Sequence, residues 1–127
     1  MKLYDGGRAP NPRRVRIFFA EKGVPLPEIV PIDMAKKEHK TEAFTKLNPA
    51  QRLPVMELDD GTALAETIAI CRYVEALHPH PPLFGKDAKE QALIEMWNRS
   101  LVLGLCADVA AVCRLSHPSM EELEEEV

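Results

Sequence analysis

Proline at position 54 enters a run that otherwise reads as a β-strand, Leu53-Pro54-Val55-Met56-Glu57-Leu58, and no other feature constrains the chain as much. Proline cannot donate to a ladder, and strands expel it except at edges and bulges. The expectation is an edge strand in which a cis bond turns the backbone outward. Backbone groups left unpaired there can bind a peptide-like ligand. The Asp59-Asp60-Gly61 turn follows, then a short strand over 62–64, which together read as a hairpin. Glu66-Thr67 then opens an apolar-periodic helix and places a second polar anchor a short distance along the chain. Acids and hydroxyls also belong at helix N-termini for capping alone, so this pair has a purely structural reading beside the ligand one.

The 127 residues suffice for one sizeable domain, or for a small domain and the start of another. Sixteen Lys and Arg stand against 20 Asp and Glu, a net charge of −4, which excludes a strong non-specific nucleic-acid surface. The charge is uneven. Residues 1–80 hold 12 cationic against 11 anionic side chains, and residues 81–127 hold 4 against 9. An anionic ligand therefore belongs with the first part. Cys71, Cys106 and Cys113 form no CxxC pair, which fits a reducing compartment and small buried thiols. Asp5 and the arginines at 8, 13, 14 and 16 interrupt any N-terminal signal. The apolar stretch 101–113 is too short to span a bilayer and reads as a core helix.

Along the chain, Lys2-Leu3-Tyr4 is a first strand and residues 5–12 a glycine- and proline-rich loop. A helix follows, with Val15, Ile17, Phe18, Phe19 and Ala20 as its apolar face and Gly23 as its C-cap. Residues 28–32 read as a strand, and 36–47 as a basic, weakly amphipathic helix or irregular segment stopped by Asn48-Pro49. The hairpin and a helix over 66–77 complete the order β-α-β-α-β-β-α. Residues 79–86, with Pro79, Pro81, Pro82 and Gly85, form a linker between a domain over 1–78 and a helical segment over 87–127. The latter reads as one long helix over 87–115, with Met96 and Trp97 as interdomain core, then a capped acidic helix from Ser119. His78 and His80 lack a third partner at ligand spacing, so no metal is expected.

An ordered set of short motifs now stands out: Arg14-Val15-Arg16-Ile17 with Ala20-Glu21-Lys22-Gly23, His39, Asn48-Pro49, Leu53-Pro54-Val55, Glu66-Thr67, and Leu83-Phe84-Gly85 after the proline-rich segment. In this order they resemble a cytosolic glutathione transferase over nearly the whole chain. The resemblance implies an α/β thioredoxin-like β-α-β-α-β-β-α domain followed by the first helices of an all-α domain, with Pro54 as the cis-proline. It also implies glutathione as co-substrate, a cytoplasmic homodimer, no metal, no nucleic acid and no membrane. Tyr4-Asp5, Glu38-His39-Lys40 and Leu58-Asp59-Asp60-Gly61 resemble a bacterial and fungal subgroup that lacks the usual catalytic Ser, Tyr or Cys.

Physical chemistry points the same way. Thr67, at a helix N-terminus whose free N–H groups suit an anion, can hold the γ-glutamyl carboxylate. Glu66 can pair with the γ-glutamyl ammonium. Leu53, just before Pro54, can pair its backbone with the cysteinyl segment as an added strand. His39 and Arg52 match positions where the family grips the glycine carboxylate, with Lys40 as a helper. Taken alone, His39 reads as a surface histidine and Arg52 as a loop charge.

Conjugation needs a thiolate, and a free thiol titrates near pH ~8.5. Aligned on Arg14-Val15, the family's usual serine falls on Ala9, and no Ser, Thr or Cys occurs before Phe19. Tyr4 reads as a packed strand residue. In the resembling subgroup a helix N-terminus and a water held by polar groups of the helical domain stabilise the thiolate. The analogues here are the helix start at Asn11-Pro12, with the Asn11 amide as a donor, and Arg114, Ser116 and His117 late in the long helix. Arg114 and His117 also fit plain helix-end chemistry, since cations favour a C-terminus. The resulting expectation is a transferase joining glutathione to a small hydrophobic electrophile. The alternative is a non-catalytic glutathione-binding or protein-interaction module of the same fold. A loop without cysteine argues against a glutathione-dependent disulfide reductase.

Overall fold

The computed structural model describes residues 1–116, with side chains through Cys113. The chain divides into two compact units, the first over Met1–Leu83 and the second beginning at Phe84.

The first unit is built on a mixed four-stranded sheet in the order β2-β1-β3-β4. The strands are β1 (Lys2–Asp5), β2 (Glu28–Pro31), β3 (Val55–Glu57) and β4 (Ala63–Ala65). β1 pairs in parallel with β2, Leu3 opposite Ile29, and antiparallel with β3, Leu3 opposite Met56. The helix α1 (Pro10–Glu21) joins the parallel pair, as a crossover connection requires. A one-turn helix at Glu38–Lys40 and α2 (Glu42–Leu47) lead into β3, and α3 (Thr67–Leu77) follows β4. This is the thioredoxin-like arrangement.

The core lies between the sheet and the packed pair α1 and α3. Leu3 and Met56, opposite one another on one face of the sheet, are buried, as are Val15 and Phe19 of α1 and Ile70, Cys71 and Val74 of α3; Val55 is buried on the other face, beside Tyr4. On α1 the buried set is Pro12, Val15 and Phe19, while Ile17 is 52% exposed. Consecutive apolar residues cannot all face inward on a 3.6-residue turn, so Ile17 and Ala20 fall off the face expected for them. α1 ends as expected at Gly23 (φ +64), where Val24 N–H reaches Phe19 O and Gly23 N–H reaches Ala20 O, the Schellman closure.

The edge position expected for Pro54 is corrected. β3 is a central strand between β1 and β4. Pro54 lies just ahead of it, where no ladder N–H is demanded, and the Leu53–Pro54 bond is cis. The proline that occupies an edge strand is Pro31, at the end of β2.

In the second unit, α4 (Ala88–Leu101) is capped by Asp87, whose side chain accepts from Glu90 N–H at 2.9 Å. It runs through one wide turn (Val102–Cys106) into α5 (Ala107–Ser116), so the expected long helix forms with a local widening. Over Ala88–Cys113 it is long and apolar enough to cross a membrane by length and composition alone, a test that core helices of helical domains also pass. Met96, Trp97, Leu103, Leu105, Cys106 and Cys113 are exposed, contrary to their expected core roles. Among the described residues the second unit is a single helical run, which offers no second layer to bury them. The expected helix from Ser119 lies outside the described residues.

Candidate functional site

The sheet register decides which loop residues meet. β3 and β4 pair with Val55 opposite Ala65, so the antiparallel register carries Pro54 toward Glu66 and Leu53 toward Thr67. β1 and β3 pair with Tyr4 opposite Val55, which carries Asp5 toward Pro54 and Gly6 toward Leu53. A Cβ built on Gly6 would stand 3.1 Å from Leu53 Cδ1 and 3.2 Å from Met34 Sδ. Three segments distant in sequence thus converge: the β1–α1 loop, the segment before β3, and the start of α3.

Glu66 and Thr67 differ in character. Glu66 is exposed, with φ 72 and ψ 122, a conformation that a residue with a Cβ rarely adopts. Its side chain makes no cap hydrogen bond, so the capping reading of this acid does not hold. Its carbonyl accepts from Ile70 N–H at 3.0 Å, which leaves the N–H groups of Thr67, Ile68 and Ala69 as the open end of α3. Thr67 is buried, 7% exposed, at the first position of α3.

Leu53 is half-buried and Pro54 buried. Asn48 fixes the approach to them: its side-chain amide donates to Arg52 O at 2.8 Å, and its side-chain oxygen accepts from Ala50 N–H at 3.1 Å. Among the described residues the Leu53 backbone makes no hydrogen bond. The Arg52 side chain is exposed. His39 sits in the one-turn helix with Nδ1 buried and unpaired among the described residues. Burial of the ring, then the neighbouring Lys40 charge, lowers its pKa.

At the start of α1, Pro10 and Pro12 have no N–H, so Asn11 supplies the only backbone donor of the first three helical residues. Asn11 is exposed. The cap position is Ala9, which offers no side-chain cap. Tyr4 is committed elsewhere. Its hydroxyl donates to Glu57 Oε2 at 2.7 Å and its ring stacks edge-on with Phe44. The hydrogen bond to Glu57, with burial and nearby carboxylates, pushes its pKa up to about 12. Arg114 lies in α5, but its side chain and all of His117 lie outside what is described.

Sequence reasoning missed Asp5 and Arg16 as a pair. Asp5 Oδ1 accepts from Gly7 N–H at 2.6 Å, and Asp5 Oδ2 accepts from Arg16 Nη1 at 2.7 Å. The available signal was an acid directly before two glycines, the pattern of a side-chain-closed turn.

Known proteins resemble this chain in sequence and in fold. A model described as the glutathione S-transferase N-terminal domain matches residues 9–77. Glutathione S-transferase 2 of Saccharomyces cerevisiae is 39% identical over 121 residues, 94% of this chain and 52% of that protein. Maleylacetoacetate isomerase of Pseudomonas aeruginosa is 35% identical over 94 residues, 72% of this chain and 44% of that protein. The crystal structure of a glutathione S-transferase domain-containing protein from Marinobacter aquaeolei matches with a TM-score of 0.75 at 45% identity, over 80% of this chain and 50% of that one. The chain spans about half the length of the curated relatives it matches. On this combined ground the chain belongs to the glutathione S-transferase family, and its type is the fungal and bacterial one.

Proposed function

We propose that this chain binds glutathione and activates its thiol for attack on a small, hydrophobic electrophile, as a cytoplasmic, homodimeric, metal-free transferase. The observation that carries the reading is the convergence of Leu53, cis-Pro54, Glu66 and Thr67, with Glu66 in a rare backbone conformation and uninvolved in capping. Glutathione lies along the Leu53 backbone as an added strand. Its γ-glutamyl carboxylate sits at the open N–H groups of α3 and the Thr67 hydroxyl, and its ammonium pairs with Glu66. Arg52 and His39 take the glycine carboxylate. The sulfur lies at the start of α1, where the Asn11 N–H and side-chain amide and the positive helix end favour the thiolate. Arg114 and His117 are proposed as polar groups that hold a water for the thiolate. By this reading residues 1–78 are the glutathione domain, 79–86 the linker and 87–127 the start of the helical domain.

The relation to maleylacetoacetate isomerase supports a second reaction on the same thiolate: reversible addition to an activated double bond, rotation and elimination, which isomerises rather than conjugates. A third reading, a glutathione-binding module without catalysis, is favoured by Ala9 at the serine position. The test is glutathione affinity and conjugation of a chlorodinitrobenzene by the unsubstituted protein and by Glu66→Ala with Thr67→Ala. Losing two charge-assisted contacts should weaken affinity at least about a hundredfold, since each contributes roughly 1.5–3 kcal/mol. Unchanged affinity would contradict the assigned site, and strong binding without turnover would favour the module.

A further inference from the structure

Asp5 is the one fully buried carboxylate among the described residues, 2% exposed. A buried charge costs several kcal/mol unless paired and hydrogen-bonded, so its partners reveal what holds it there. Both oxygens serve a single loop. Oδ1 closes the turn onto Gly7 N–H at 2.6 Å, and Oδ2 takes Arg16 Nη1 at 2.7 Å. The other arm of that guanidinium donates to Gly7 O at 2.7 Å. Arg16 therefore ties the second turn of α1 to both the side chain and the backbone of the loop leading into it. Asp5 O meanwhile accepts from Ile32 N–H at 2.8 Å, which fixes the loop's root to the segment after β2. The next residue, Gly6, is wedged against Leu53, and its carbonyl accepts from Ala9 N–H at 3.4 Å.

This bracing lies beside a donor that has no substitute. With proline at both 10 and 12, the Asn11 N–H is the only free backbone donor of the first helical turn. A single donor must be aimed, because no neighbour compensates a displacement. A second pair, the buried Lys22 Nζ with the part-exposed Glu75 Oε2 at 2.7 Å, ties the opposite end of α1 to α3. It provides an internal comparison.

We propose that Asp5 and Arg16 are positioning residues: together they hold the β1–α1 loop so that the Asn11 N–H meets the sulfur of glutathione lying along Leu53. The proposal rests on the glutathione reading above. Neither residue touches the reacting atoms; both act through the backbone of residues 6–11.

The experiment titrates the thiol of bound glutathione by its ultraviolet thiolate absorbance, and measures turnover of a chlorodinitrobenzene, in the full chain. The variants are Asp5→Asn, Arg16→Met, Arg16→Lys and Lys22→Met, each studied well below its own melting temperature. Positioning predicts that Asp5→Asn and Arg16→Met both raise the bound thiol pKa by about one unit and lower kcat roughly tenfold or more, as misplacement by an ångström can. Glutathione KM should move less than about threefold, because the anchors at Glu66 and Thr67 are untouched. Arg16→Lys keeps the charge without the fork and should recover part of the loss. Lys22→Met should lower stability and leave the thiol pKa alone. If the thiol pKa falls in Asp5→Asn and rises in Arg16→Met, bare charge is acting and the proposal is overturned. If both variants melt lower with thiol pKa and kcat unchanged, the pair only supports the fold and the proposal is again overturned. If the unsubstituted protein binds no glutathione, the glutathione reading fails and takes the proposal with it, an outcome visible before any substitution is made.

Discussion

Glu66 holds a backbone conformation that costs a residue with a Cβ on the order of 1–3 kcal/mol, and its side chain returns nothing to the helix it precedes. That cost is offset when the side chain meets the ligand's ammonium. Glu66→Gly should therefore leave stability unchanged or raise it by about 1 kcal/mol, while weakening glutathione binding about tenfold or more; melting curves with and without glutathione would show both. His39 makes a second residue-level prediction. Burial and Lys40 lower its pKa, so folding favours the neutral ring. Its stabilising contribution is present above the unfolded value near ~6.5 and is lost as pH falls from there toward the lower folded value. A glycine carboxylate beside the ring favours the charged form and raises its pKa again. The rise in melting temperature given by S-methylglutathione, which has no ionisable thiol, should thus grow between about pH 7.5 and 5.5. In His39→Gln that growth should vanish. A rise independent of pH in both proteins would remove His39 from the site.

At the scale of elements, the start and end of α1 carry different loads. The end is closed by Gly23 and by Lys22, whose ammonium is fully buried between Glu75 and the Pro81 carbonyl. Lys22→Met removes a charge-assisted hydrogen bond to Glu75 and one to the Pro81 carbonyl and should destabilise the first unit by about 2–4 kcal/mol, read by denaturant unfolding; a loss below about 1 kcal/mol would mean the pair is solvated and weak. The order of elements was legible in the sequence because glycine, proline and periodicity punctuate it: Gly23 ends α1, Asn48-Pro49 ends α2, and Asp59-Asp60-Gly61 turns the hairpin. Strand position was not. Pro54 suggested an edge, but a proline just ahead of a strand leaves its rank in the sheet free, and rank follows from pairings no single segment encodes. Leu53, Glu66 and Thr67 could be named as a group in advance, whereas the Asp5–Arg16 pair could not, since it forms only when the β1–α1 loop folds back on itself. Cys71 was legible as a buried thiol; burial pushes its pKa up to about 11, so it stays protonated and inert.

For the whole molecule, the second unit sets the behaviour in solution. Leu101, Leu103, Leu105, Val109 and Val112 are each about half exposed or more. A contiguous apolar surface of this kind associates or binds hydrophobic dyes. The 127-residue chain alone should therefore sediment as species larger than its 14.2 kDa monomer at micromolar concentration. A strictly monomeric species without dye binding would contradict the exposure seen along this helix. Whether the first unit holds glutathione as its thiolate is read by calorimetric titration with glutathione near neutral pH in two buffers of different ionisation enthalpy. Saturable binding with release of a substantial fraction of a proton per site is expected; binding with no proton release, or no binding, would overturn the thiolate assignment.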